Sequence, residues 1–267
     1  MLIVTDGAVD IPEGLASSEL LVQVPGEVRG ADGPLWVDRD EFWAGLRRGE
    51  YPSTSPPTVS ALMAAYQPPG LVLAVHVSGQ LSATMQRAHE AAERVGSGVS
   101  VIDTGSLSVG AGLIVAELHR LALEGSVPSL VDAAQKLPGR LHTFALIQEV
   151  DALRRSDRSG LLPSSHLARN HPLVVAVRGR VVPLAQPRQR ATAITELSRH
   201  LQHRSGPPTV AWALGHGDAA DIDAVVKGFS HYLGLAPSFI TDLDPTVGVH
   251  LGPDSLVVGV LSESPEA

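Results

Sequence analysis

Leu71-Val72-Leu73-Ala74-Val75-His76-Val77-Ser78-Gly79-Gln80-Leu81-Ser82-Ala83-Thr84 is the stretch that decides the fold. The apolar run Leu71–Val77 ends abruptly in closely spaced hydroxyl and amide side chains. A helical pattern follows at once, with Met85, Ala88, Ala91 and Ala92 near 3.6-residue spacing and Gln86, Arg87, Glu90 and Glu93 between them. The sequence predicts strand, polar turn, helix. Such a turn aims backbone N–H groups and hydroxyls at one point, where an anion is favoured. It carries no lysine and no nucleophile–base pair, so it reads as a place that holds an oxyanion.

The same alternation runs outward from this unit. Short apolar runs recur at Leu2–Val4, Val99–Ile102, Phe144–Ile147, Leu173–Val177, Val210–Leu214 and Leu256–Leu261. Helical patterns lie between them at Arg39–Arg48, Val59–Tyr66, Ser82–Val95, Val109–Leu123, Val127–Leu137, Ala191–His203 and Asp218–Leu233. Several strands are too continuously apolar to be one-sided, as expected of a sheet covered on both faces. The class is therefore α/β, with parallel pairing in the first half. The pattern lapses into Ser, Pro, Asn and His around 160–171, which sets a boundary near residue 155. Beyond it, Arg178-Gly179-Arg180 between two apolar runs signals a hairpin. Two domains are expected: an N-terminal parallel-sheet α/β domain over 1–155, and a C-terminal α+β domain with a mixed or antiparallel sheet over 156–267.

Composition excludes several functions. The chain has 267 residues, 44% of them hydrophobic and 18% charged, with a net charge of −8. That charge argues against a nucleic-acid partner. With no cysteine there is no disulfide, thiolate metal site or cysteine nucleophile. No apolar stretch approaches the ~20 residues that span a bilayer. Met1–Asp6 has no signal-peptide form and reads as the first strand of a cytoplasmic protein. No His-Glu-x-x-His pattern, P-loop or Gly-x-Gly-x-x-Gly follows any strand, so no metal and no nucleotide cofactor is expected.

Several constellations bear on binding. Thr5-Asp6-Gly7-Ala8-Val9-Asp10 follows the first strand, where open α/β sheets bind ligands, although Asp and Gly there also shape turns. In Thr54-Ser55-Pro56-Pro57-Thr58, Thr58 is the expected N-cap of the next helix, which leaves Thr54 and Ser55 surplus on a stiff loop. Asp103-Thr104 leads to Ser108-Val109-Gly110-Ala111-Gly112, whose glycines permit close packing. Arg188-Gln189-Arg190 opens a helix against its dipole, a placement that anion binding or plain solvation would explain. His250 lies in His250-Leu251-Gly252-Pro253-Asp254, read as a tight turn before the last strand.

In this order the motifs resemble the DegV family of bacterial fatty-acid-binding proteins. The resemblance runs through Asp6–Asp10, Thr54–Thr58, Ser78–Thr84, Asp103–Gly112, Arg188–Arg190 and His250–Asp254, nearly the whole chain. It implies a carrier, not an enzyme, that holds a long-chain fatty acid such as palmitate or oleate in a tunnel between the domains. It also implies a separate fatty acid kinase that phosphorylates the bound carboxylate in phospholipid metabolism. By the same resemblance Thr54, Ser55, Ser78, Gly79 and Ser82 hold the carboxylate, with Arg188 and His250. The sequence departs from the family at Gly7-Ala8 and Gly79, where hydroxyls are lost, and at Ser156-Asp157, where two glycines are lost. Two other readings compete. One is an acyl- or phosphoryl-transfer enzyme using Ser78 or Ser82, though no Gly-x-Ser-x-Gly elbow surrounds either. The other is a divergent interaction module that no longer binds lipid.

Overall fold

The computed structural model describes residues 1–30, 33–34, 38–67, 70–125, 127–148, 150–155, 173–177, 179–202 and 208–265. The Ser156-Asp157 departure and the 160–171 stretch lie outside them.

A four-stranded parallel sheet is built from β1 (Leu2–Asp6), β2 (Leu21–Val24), β6 (Val72–His76) and β7 (Val99–Asp103), in the order β2-β1-β6-β7. The continuous apolar runs have the cause expected of them, since both faces are covered. Leu73 and Val75 of β6 enter one core, while Val72 and Ala74 enter another beneath α2 (Val59–Ala65) and α3 (Thr84–Val95). Thr58 caps α2, accepting from the Ala61 N–H at 3.2 Å.

The second sheet has six strands in the order β10-β9-β8-β13-β11-β12. These are β8 (Leu141–Leu146), β9 (Leu173–Val177), β10 (Arg180–Ala185), β11 (Thr209–His216), β12 (Phe239–Asp242) and β13 (Leu256–Ser262). All its pairs are antiparallel except β11–β12, so the sheet is mixed. Its outer face is covered by α7 (Arg190–Gln202) and α8 (Ile222–Leu233). β8 is already an interior strand of this sheet, ahead of residue 155 in the chain. A small antiparallel sheet, order β4-β3-β5, joins β3 (Glu27–Gly30), β4 (Gly33–Pro34) and β5 (Ser53–Ser55). The remaining helices are α1 (Arg39–Arg47), α4 (Ser108–Leu123), α5 (Val127–Lys136), α6 (Val150–Arg155) and α9 (Pro245–Leu251). Helix α9 corrects one expectation: His250 and Leu251 of the expected turn are the last residues of a helix. Asp244 starts it by accepting from the Thr246 N–H at 2.8 Å, and Pro245 supplies the first helical residue.

α4 lies between the two main sheets. Leu256, Val258 and Val260 of β13 face α7 and α8, so Val257, Gly259 and Leu261 face α4. A β-carbon on Gly259 would lie 2.7 Å from Gly110 Cα. One on Gly110 would overlap Thr143 Oγ1, and one on Gly112 would overlap the Asp10 carbonyl oxygen. The close packing expected of Gly110 and Gly112 is therefore what joins the halves.

Gly112→Val should lower the free energy of unfolding by about 3 kcal/mol or more in a denaturant titration, because the obstructing atom is backbone. Gly228→Ala, in α8 with nothing within 4 Å of the added carbon, should instead stabilise by up to about 1 kcal/mol.

Candidate functional site

A cavity of about 970 Å³, counting its open mouth, lies between the parallel and six-stranded sheets. Its first wall is the loops beyond the carboxyl ends of β1 and β6, where an open α/β sheet places a ligand: Asp6–Ala8, Val77, Leu81, Ser82 and Thr84, with Thr54–Pro57 from β5 onward. Its second wall uses strand period: Thr143, Ala145 and Ile147 from β8 and its end, and Val174 and Ala176 from β9. Thr246, Val247, His250 and Leu251 of α9 complete it at helical spacing. The lining is chiefly apolar, with a few hydroxyls and one imidazole. Among the described residues no Lys or Arg lines it.

Thr54, Ser55, Ser82 and His250 are brought to this one cavity. Thr54 Oγ1 and His250 Nε2 are 3.0 Å apart, joining β5 to α9. Ser82 Oγ lies 2.8 Å from Thr84 Oγ1 at the start of α3. Arg87, which in sequence is only a polar helix position, clamps the two loops by donating to the Pro56 and Pro57 carbonyls at 2.7 and 3.0 Å.

Ser78, Gly79 and Arg188 are placed elsewhere. Ser78 is fully buried beside the cavity without lining it. Its Oγ accepts from the Gln80 N–H at 3.2 Å, and the turn at Gly179 covers it, leaving no room for a β-carbon there. Gly79 is exposed and donates its N–H to Asp103 Oδ2 at 3.1 Å. Arg188, expected beside the carboxylate, is exposed and is not among the residues that line the cavity. The inward arginine of the pair is Arg190, which donates to both Asp221 oxygens at 2.9 and 2.7 Å and to the Asp254 carbonyl. It anchors the turn after His250, and in return holds the Asp221 carboxyl below its usual pKa.

Two buried networks were not legible as such in the sequence. In the first, Asp6 accepts from the Ala8 N–H at 2.9 Å, the Val77 N–H at 3.1 Å and His76 Nδ1 at 2.9 Å. His76 Nε2 lies 2.7 Å from the Tyr66 hydroxyl. Donation from His76 Nδ1 to Asp6, with Nε2 accepting from the Tyr66 hydroxyl, satisfies every group. Burial, and then the Asp6 charge, pushes the Tyr66 phenol up, so it remains a donor.

In the second, Asp10 accepts from Ser108 Oγ at 2.5 Å and from the Asp244 N–H at 2.7 Å. It ties the β1 loop to the starts of α4 and α9. Burial, and then the Asp244 charge, pushes the Asp10 carboxyl up to about 7. Burial also raises Asp244. The signal for this network was Asp10 within the first-strand motif, but its partners stand 98 and 234 residues away.

The native state holds the Asp10 proton more tightly than the unfolded chain. Its contribution to stability is full below about pH 4 and is lost as pH rises through about 7, with a slope approaching 1.4 kcal/mol per pH unit. Melting temperatures measured from pH 4 to pH 8 should fall along this range. Asp10→Asn, which keeps an acceptor for the Asp244 N–H and donates to Ser108, should flatten the slope and melt higher than wild type at pH 8.

The family model for DegV, described as an uncharacterised protein family, matches residues 1–263. A DegV domain-containing protein of Deinococcus radiodurans is 30% identical over 277 residues, covering 97% of each chain. A DegV family protein from Thermus thermophilus, described by its fatty acid binding, shares the fold with a TM-score of 0.85 at 23% identity, covering 98% of this chain and 99% of that one. A stearic-acid-binding protein from Eubacterium ventriosum does so with a TM-score of 0.87 at 18% identity and the same coverage.

Proposed function

The chain belongs to the DegV family, and from that premise we propose that it is a lipid-binding protein that holds one long-chain fatty acid in the cavity between its sheets. The observation that carries this reading is a cavity of mainly apolar lining with convergent hydroxyls and one imidazole at a parallel-sheet edge. The relatives of the same fold described as binding fatty acids, one of them stearic acid, support it.

The energetics suit such a ligand. Each buried methylene contributes about 0.8 kcal/mol, so a sixteen-carbon tail supplies roughly 12 kcal/mol before the loss of ligand freedom offsets much of it. The carboxylate must still find donors, because an unpaired buried charge is very costly. In this reading Thr54, Ser55, Ser82 and His250 provide them. Ser78 and Gly79 shape the turn that carries Ser82, and Arg188 serves outside the cavity.

The protein acts as a cytoplasmic carrier, and a separate fatty acid kinase converts the presented carboxylate to an acyl phosphate. Supporting a carrier over a serine enzyme, among the described residues no histidine is bonded to Ser78 Oγ or Ser82 Oγ; Ser78 Oγ accepts from the Gln80 N–H, and Ser82 Oγ accepts from the Thr84 N–H and lies against Thr84 Oγ1. The two-domain division, with the ligand between the parts, belongs to the same proposal, with β8 as the strand that crosses. A cut near residue 155 should therefore leave the two fragments associated on gel filtration.

Mass spectrometry of small molecules released from the denatured protein tests the reading directly. A near-stoichiometric long-chain fatty acid is expected. An empty protein that also ignores added palmitate and oleate would overturn it. In palmitate titrations Thr54→Val and His250→Gln should each raise Kd about tenfold, whereas Arg188→Ala should stay within about twofold of wild type.

A further inference from the structure

Helix α9 has two working faces. Val247, His250 and Leu251 line the cavity, while Gly248 turns its back to α1. Into that back fits Trp43 of α1, which is 1% exposed. A β-carbon on Gly248 would lie 2.6 Å from Trp43 Cη2 and 2.9 Å from Phe42 Cε1. One on Gly217, at the end of β11, would lie 3.1 Å from the same Cη2. The ring edge is thus wedged between two glycines. Glycine is a poor residue inside a helix, and here its missing side chain is what admits the indole.

α1 is pinned in place by charge. Arg39 pairs with Asp242, and Arg47 pairs with Asp218 at 2.7 Å and with Asp254 at 3.5 Å. Both of the latter aspartates have positive φ, 54° and 61°, a backbone region that non-glycine residues rarely adopt. The chain that leaves α1 runs directly into β5, which carries Thr54. One helix is therefore linked to both sides of the Thr54–His250 pair, to Thr54 along the chain and to α9 through the packing of Trp43 on Gly248.

We propose that Trp43 is a positioning residue: by filling the slot formed by Gly248 and Gly217 it sets the depth of α9 and so brings His250 within reach of Thr54 and of the ligand's head group. The ligand in this statement rests on the fatty-acid reading; the placement of His250 does not.

Gly248→Ala is the primary variant, because its β-carbon would meet the ring and push α9 toward the cavity. Trp43→Phe in the same chain withdraws the ring edge. Two quantities are read: the Kd for palmitate, and the imidazole NMR signals of His250 in lipid-free protein, assigned with His250→Gln. Gly248→Ala should raise Kd about tenfold, the worth of one hydrogen bond to a charged group, and shift the His250 signals. The double variant should return both toward wild type. His250 signals that stay in place in Gly248→Ala, or that move and do not return in the double variant, would overturn the proposal. If wild type ignores palmitate yet the His250 signals follow this pattern, the positioning stands and the lipid reading fails. Should Gly248→Ala not fold, Trp43→Phe alone decides: shifted His250 signals support the proposal, and unmoved signals overturn it.

Discussion

The contact on which the other features depend is the approach of α4 to backbone on both of its sides. Gly110 meets β8 and β13, and Gly112 meets the carbonyl of Asp10, with no space for a β-carbon at either. That approach fixes how far the six-stranded sheet stands from the parallel one. The cavity is the space left between them, so its width follows from two missing side chains. Close-packed interiors transmit such constraints because they have few voids in which to absorb a shift. The lining of Ala145 and Ala176 opposite Leu81 and Leu107 has meaning only at that separation.

Carboxylates concentrated where the halves meet are the cost of this arrangement. Asp6, Asp10 and Asp244 all lie near the end of β1, and desolvation together with a neighbouring carboxylate opposes the charging of Asp10 and Asp244. The chain meets the cost with donors. Asp6 takes three, Asp10 takes a hydroxyl and a backbone N–H, and Asp244 takes the N–H and hydroxyl of Thr246. Each acid also does topological work. Asp10 links β1 to α4 and α9, so the seam is specified by polar geometry as well as by apolar packing.

Much of this frame was legible in sequence and part was not, for physical reasons. β6 and β13 announce themselves because burial on both faces demands unbroken apolar runs. α9 does not, since seven residues with a leading proline and a glycine in the middle carry the signs of a turn; only docking on Trp43 makes that glycine favourable. β5 is three hydroxyl residues, a strand by virtue of its partner β3 and not of its composition. Thr54 and His250 each stand out in their own motif, but their pairing spans 196 positions and needs the fold. The exchange of Arg188 for Arg190 has the same origin. Two arginines two residues apart are equivalent in a pattern, and the partners Asp221 and Asp254 decide which one turns inward.

The departures from the family motifs can now be weighed by where their side chains would go. A serine at Gly79 would direct its β-carbon toward Met85 and Asp103, at 3.2 and 3.3 Å, not into the cavity. A side chain at Gly7 would meet the Gly26 amide and Asp244. The Gly79 departure therefore subtracts no donor from the cavity wall, whereas Gly7 and Ala8 are part of that wall, which keeps the hydroxyls of Thr54, Ser55, Ser82 and Thr84. Asp6 shares that wall but is closed to a ligand, because its oxygens already accept from Ala8, Val77 and His76. On the proposed reading a carboxylate head is disfavoured beside Asp6 at the β1 end and favoured on the Thr54–His250 side, where Thr54 and Ser55 present hydroxyl donors. On the proposed reading the orientation of the acyl chain follows from this contrast: the head lies against β5 and α9, and the tail runs toward the apolar faces of β8 and β9.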